Sequence, residues 1–123
     1  MTTVLLVDDS PTILTAIGAI LERASFEVLK ASHAAPALDH LAADKKVHLM
    51  ITDLNMPGMD GITLVRETRK LAPRRFMPIL LLTTESQVEK RQEAKAAGAT
   101  GWLVKPVEGR ELLDVVKRLV PGA

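Results

Sequence analysis

Apolar runs in this sequence stop repeatedly at polar residues of complementary kinds. Asp8 and Asp9 follow Val4–Val7, Asp53 follows Leu49–Thr52, Thr83 follows Pro78–Leu82, and Lys105 follows Thr100–Val104. If the runs are strands of one sheet, these groups gather at its carboxyl edge, where open α/β sheets bind ligands. Carboxylates brought that close repel: a like-charged pair at ~4 Å costs about 4 kcal/mol at an effective dielectric near 20. A hard divalent cation with oxygen ligands offsets this most simply. Mg²⁺ fits, with Mn²⁺ as its substitute, since Mg²⁺ takes one or two carboxylates, keeps waters and shares phosphate oxygens. Asp53, beside a Pro57-Gly58 break, is placed to act as nucleophile or metal ligand. Lys105 supplies a compact positive charge and Thr83 a hydroxyl, so the set describes a site for a phosphoryl group.

Each residue alone has a plainer explanation. Asp8 and Asp9 suit a helix N-terminus, Asp53 a turn, Thr83 a cap, Lys105-Pro106 a solvated turn and Trp102 core filling. The coincidence of polar groups at the strand ends, with none in the strand middles, favours the joint site.

The elements that must position these groups are legible from periodicity. Val4–Val7 and Leu49–Thr52 are apolar enough for strands buried on both faces. Ser10 and Pro11 announce a helix over residues 11–24, with Ile13, Ile17, Ile20 and Ala24 on its inner side. Phe26–Ala31 is less apolar and predicts an edge strand, and Leu38 and Leu41 mark an alanine-rich helix. Ile62, Val65 and Leu71 face the core from a helix ended by Ala72-Pro73. Two overlapping capping boxes, Thr84 with Gln87 and Ser86 with Glu89, predict a helix running to Gly98 and leave Thr83 uncommitted. That helix has little beyond Val88 and alanines to bury, so it is expected to sit loosely. Leu112, Leu113, Val116, Leu119 and Val120 give the last helix its core side. Alternating strands and helices predict an α/β fold: a doubly wound parallel sheet joined by right-handed crossovers.

Composition narrows the function. A chain of 123 residues with 47% hydrophobic content supports one domain, expected to span 1–123. Net charge is +1 and the aromatics are Phe26, Phe76 and Trp102 alone, so neither a basic stripe nor stacking platforms suggest nucleic acid as a ligand. Cysteine is absent, which removes thiolate chemistry and fits a reducing compartment. Neither a signal-peptide pattern nor a bilayer-length apolar run occurs, and a cytoplasmic location away from membranes is expected.

Asp8-Asp9, Asp53 in the segment Asp53-Leu-Asn-Met-Pro-Gly-Met-Asp-Gly61, Thr83 and Lys105-Pro106 together resemble the receiver domain of two-component response regulators. The resemblance spans essentially the whole chain. Within the family, the Asn55–Gly61 and Thr83–Glu85 segments are most similar to single-domain CheY-type chemotaxis regulators. The family implies a flavodoxin-like, five-stranded sheet of order 2-1-3-4-5 with five helices. It also implies that Asp53 is the phospho-acceptor, and that Asp8, Asp9, Asp53 and the Asn55 backbone carbonyl hold Mg²⁺. Thr83 and Lys105 would bind the phosphoryl oxygens. Trp102 stands where the family usually has a Tyr that changes rotamer on activation; indole is bulkier and only donates, which puts that swing in question. Asn55 and Glu85 lie two residues beyond Asp53 and Thr83, a spacing that suits tuning of dephosphorylation.

Rival classes fit less well. Haloacid-dehalogenase-like phosphatases need a second Asp where Asn55 stands, and a flavodoxin-like flavin binder would set Asp8-Asp9 against its phosphate. A phosphate-independent receiver usually lacks a site residue, and none is missing here. The expected protein is therefore a switch rather than a turnover enzyme, phosphorylated by a CheA-like sensor histidine kinase. Its expected target is the flagellar motor switch protein or another output protein, with a phosphate sink or phosphorelay intermediate as the alternative role. No output domain is expected after the last helix unless the chain is part of a longer regulator. A monomer is expected.

Overall fold

The computed structural model describes residues 1–43 and 46–121; positions 44–45 and 122–123, inside the predicted domain span, lie outside the described residues. Five strands form one parallel sheet: β1 (Thr3–Val7), β2 (Glu27–Ala31), β3 (Leu49–Thr52), β4 (Ile79–Thr83) and β5 (Gly101–Val104). Their order is β2-β1-β3-β4-β5, as the family resemblance implies. The helices are α1 (Pro11–Arg23), α2 (Ala34–Ala42), α3 (Gly61–Lys70), α4 (Val88–Ala97) and α5 (Gly109–Leu119).

Successive side chains along a strand point to opposite faces, and the core divides accordingly. Leu5, Val7, Met50, Ile79 and Leu81 pack with α2, α3 and Ala94 of α4. Val4, Leu6, Leu49, Ile51, Leu80 and Leu82 pack with Ile17 and Leu21 of α1 and with Leu112 and Val116 of α5. β1, β3 and β4 are buried throughout, which explains their unbroken apolar runs. β2 is an edge strand with Glu27 and Lys30 exposed, and Phe26 is buried just before it instead of opening it.

Most boundaries match the periodicity. Ser10 caps α1 by accepting from Ile13 N–H at 3.3 Å, with Pro11 in the first helical turn. The start of α4 differs from expectation. Neither capping box forms: α4 begins at Val88, and Gln87 caps it without a side-chain bond. Instead the Thr83 hydroxyl accepts from Glu85 N–H at 3.2 Å, and Glu85 Oε1 accepts from Gln87 N–H at 3.1 Å. These short side-chain contacts compete with helix formation and keep residues 84–87 out of the helix. After α3, a short 3₁₀ turn at Ala72–Arg74 takes the place of a simple stop at Pro73. Arg74 is buried there, donating to the carbonyls of Leu41 and Val47 and so joining this turn to the region between α2 and β3.

Candidate functional site

The ladder itself brings the site residues together. Asp53 N–H donates to Val7 O at 3.0 Å, setting the end of β3 beside Asp8, and Lys105 N–H donates to Thr83 O at 2.8 Å, setting the end of β5 beside that of β4. Asp8, Asp9 and Asp53 each present a carboxylate oxygen within 4.8 Å of the others. All are hard oxygen donors with no sulfur or imidazole among them, a set that fits Mg²⁺ rather than zinc.

The acids differ in surroundings. Asp8 is buried, with Oδ1 accepting from Ser10 N–H at 2.9 Å and Oδ2 accepting from Lys105 Nζ at 2.6 Å. Asp53 is half-buried; Oδ1 accepts from Leu54 N–H at 2.8 Å and Oδ2 lies 3.5 Å from Lys105 Nζ. Asp9 is exposed. Lys105 thus lies among the carboxylates, and the repulsion inferred from the sequence is offset in part by this ammonium. The Lys105–Pro106 peptide bond is cis.

Thr83 is fully buried, and its hydroxyl, expected to be uncommitted, uses a lone pair on Glu85 N–H. Its proton remains available to an oxygen ligand. A hydrogen-bonded path therefore runs from Thr83 through Glu85 to Gln87, whose carbonyl accepts from Arg91 N–H in the first turn of α4. Asn55 is exposed and Glu85 half-buried.

The turn after Asp53 is held by a close backbone approach that the sequence did not reveal as such. Gly61 N–H donates to Leu54 O at 2.8 Å, and a Cβ on Gly61 would fall 2.1 Å from Asp53 O. Asp60 caps α3 through Thr63 N–H at 2.8 Å. Trp102 is half-buried against the core on the α3 and α4 face, and its buried Nε1 has no acceptor. With Val88, Ala94 and Ala99 it lines a cleft of about 400 Å³ between α4 and β5.

A doubly wound α/β sheet carrying an acidic, oxygen-lined pocket with a hydroxyl and an ammonium at its carboxyl edge defines the class of protein. Residues 4–117 match the response regulator receiver domain, and the chain belongs to that family. It is 33% identical over 122 residues to protein PilH of Pseudomonas aeruginosa, covering 99% of this chain and 100% of the relative. It is 37% identical over 116 residues to chemotaxis protein CheY1 of Helicobacter pylori, covering 91% and 94%. Response regulator protein FleR of Pseudomonas aeruginosa is 40% identical over 119 residues, but the chain spans only 24% of its length. Among solved structures, chemotaxis protein CheY4 of Vibrio cholerae superposes with a TM-score of 0.93 at 42% identity, covering 98% of this chain and 99% of that one. No helix among the described residues is long and apolar enough to cross a membrane.

Proposed function

We propose that this protein is a phosphorylation-controlled switch in which Asp53 accepts a phosphoryl group from a phosphohistidine of a sensor kinase. The observation that carries this reading is the meeting of Asp8, Asp9 and Asp53 with Lys105 beside the end of β4. An Asp53 carboxylate oxygen attacks phosphorus in line, the phosphorus–nitrogen bond breaks, and the histidine nitrogen leaves with the electron pair. Asp8, Asp9, Asp53 and the Asn55 carbonyl would hold Mg²⁺, which when bound would neutralise charge on the phosphoryl oxygens. Lys105 pairs with one of those oxygens and Thr83 donates its hydroxyl proton to another. Water later attacks phosphorus, the bond to the Asp53 oxygen breaks, and inorganic phosphate leaves. Asn55 and Glu85 orient that water. Asn55 is not a carboxylic acid, so turnover of outside phosphoesters is not part of the function.

The signal leaves as a population shift. Drawing Thr83 toward a phosphoryl oxygen pulls on Glu85 and the start of α4, biasing the face made by α4, β5 and α5. Similarity to CheY1 and CheY4 favours a cytoplasmic role in chemotaxis, with a CheA-like kinase as donor and the flagellar motor switch protein as target. The test is incubation with acetyl phosphate or a phosphorylated kinase and Mg²⁺. The Asp53 peptide should gain the mass of one phosphoryl group, and Asp53→Asn should abolish the gain. A pull-down of the motor switch protein that depends on beryllofluoride supports the motor role; phosphorylation without any such capture points to a phosphate sink.

A further inference from the structure

Helix α4 is attached to the rest of the molecule unevenly. Its one buried residue among those described, Ala94, lies in the C-terminal half, and Glu93 there pairs with Arg66 of α3 at 3.7 Å. Just beyond, Ala99 N–H donates to Ala94 O at 3.0 Å across Gly98, whose φ of 113° suits glycine. Thr100 then bonds Ile79 in both directions, N–H to O at 2.8 Å and Oγ1 from N–H at 3.0 Å. The other end is held far less. Val88 is 61% exposed, and residues 85–87 are tied back to β4 by the Thr83–Glu85–Gln87 hydrogen-bond path.

Arg69, in the last turn of α3, completes the C-terminal attachment. Its Nε and Nη2 both donate to Gly98 O, at 3.1 and 2.7 Å, and Nη1 donates to Arg74 O at 2.8 Å and Met77 O at 2.5 Å. One planar guanidinium thus satisfies carbonyls from three segments: the end of α4, the 3₁₀ turn and the entry to β4. A Lys at this position could not reproduce the fork. The Arg69 side chain also lies against Gly98, where a Cβ would come within 3.0 Å of its Cγ. Burial, which disfavours the charged form, holds the Arg69 guanidinium below its usual value.

We propose that Arg69 is a positioning residue that makes α4 a lever hinged at its C-terminal end, so that a pull at Thr83 swings the Val88 end instead of sliding the whole helix. The proposal rests on the phospho-switch reading for the origin of the pull, and on the Arg69 contacts for the hinge. The swing changes the spacing between Val88 and Trp102 across the cleft they line, while Gly98 stays fixed to β4.

Residue-resolved amide exchange on the whole chain, with and without Mg²⁺ and beryllofluoride, tests this in the parent, Arg69→Met and Arg69→Lys. Site occupancy is followed separately as a rise in melting temperature that Asp53→Asn removes. In the parent, the mimic should alter exchange at residues 85–91 and leave Gly98 and Ala99 unchanged. In Arg69→Met without the mimic, Gly98 and Ala99 should exchange about tenfold faster relative to β1 and β3 amides. With the mimic bound, the change should spread along the whole of α4, and Arg69→Lys should fall between. Should Arg69→Met fail to fold, Arg69→Lys decides. Unchanged protection at Gly98 and Ala99, or an equal acceleration in β1 and β3, overturns the hinge. A parent without the melting rise overturns the phospho-switch reading, while the mimic-free comparison still decides what Arg69 holds.

Discussion

Lys105 Nζ lies 2.6 Å from Asp8 Oδ2, an ion pair across 97 residues of sequence that joins the end of the last strand to that of the first. The same ammonium is 3.5 Å from Asp53 Oδ2, so it stands where a metal and a phosphoryl group would both exert their charge. Lys105 would therefore compete with a cation for the carboxylates it pairs with. Lys105→Met should tighten Mg²⁺ binding by about tenfold, well below the energy of the bare pair because such pairs in proteins are screened to an effective dielectric of ~20. It should also weaken the response to beryllofluoride. A metal titration checks the first part, and unchanged affinity would mean that Lys105 does not oppose the cation.

Asp8 and Asp9 are adjacent in sequence and should behave differently when replaced. Asp8→Ala leaves Lys105 without its nearest partner and Ser10 N–H without an acceptor; loss of one member of such a buried pair costs on the order of 3 kcal/mol. Asp9 is exposed, and its removal relieves repulsion, so Asp9→Ala should melt at or above the parent temperature without metal. Both variants should bind Mg²⁺ more weakly. An Asp9→Ala protein that melts clearly lower would assign Asp9 a structural partner.

Gly61→Ala sets a methyl group 2.1 Å from Asp53 O and 2.9 Å from Leu54 Cα, both backbone atoms that cannot rotate away. The turn after Asp53 must shift, and the expected cost is about 2–4 kcal/mol with slower phosphorylation. Denaturant melts and phosphorylation by acetyl phosphate measure the two effects. Parent-like values in both would show that this backbone approach is not needed.

Asn55 and Glu85 should influence dephosphorylation by different routes. Asn55 is exposed beside the site, whereas Glu85 also holds Gln87 N–H at the start of α4. Changing Asn55 should alter the half-life of the phosphorylated protein alone; Glu85→Ala should alter both the half-life and exchange at residues 85–91. Identical half-lives in both variants and the parent would remove them from the hydrolytic step.

Trp102 is the only tryptophan, and its Nε1 is buried without an acceptor. A displacement of α4 would offer that N–H water or a new partner, so Mg²⁺ with beryllofluoride should shift the emission of Trp102. Asp53→Asn should abolish the shift. A constant spectrum at confirmed occupancy would make the indole fixed core and route the signal elsewhere.

The strand runs and their terminal polar residues were legible because a strand buried on both faces admits no charged side chain until the chain leaves the sheet, and its few hydroxyls, Thr3, Thr52 and Thr83, stand at strand ends. Parallel pairing then carries every such exit to one edge, so Asp8, Asp53, Thr83 and Lys105 could be assembled before any geometry was known. Their partners could not. That Lys105 pairs most closely with Asp8, and that Thr83 holds Glu85 N–H in place of a capping box at Thr84, depend on distances between segments far apart or on local competition for backbone donors. Arg69 and Arg74 were silent in the sequence for a related reason. Their acceptors are main-chain carbonyls of Gly98, Met77, Leu41 and Val47, which every residue type possesses; only the packed chain determines which carbonyls are left unpaired and within reach of a guanidinium.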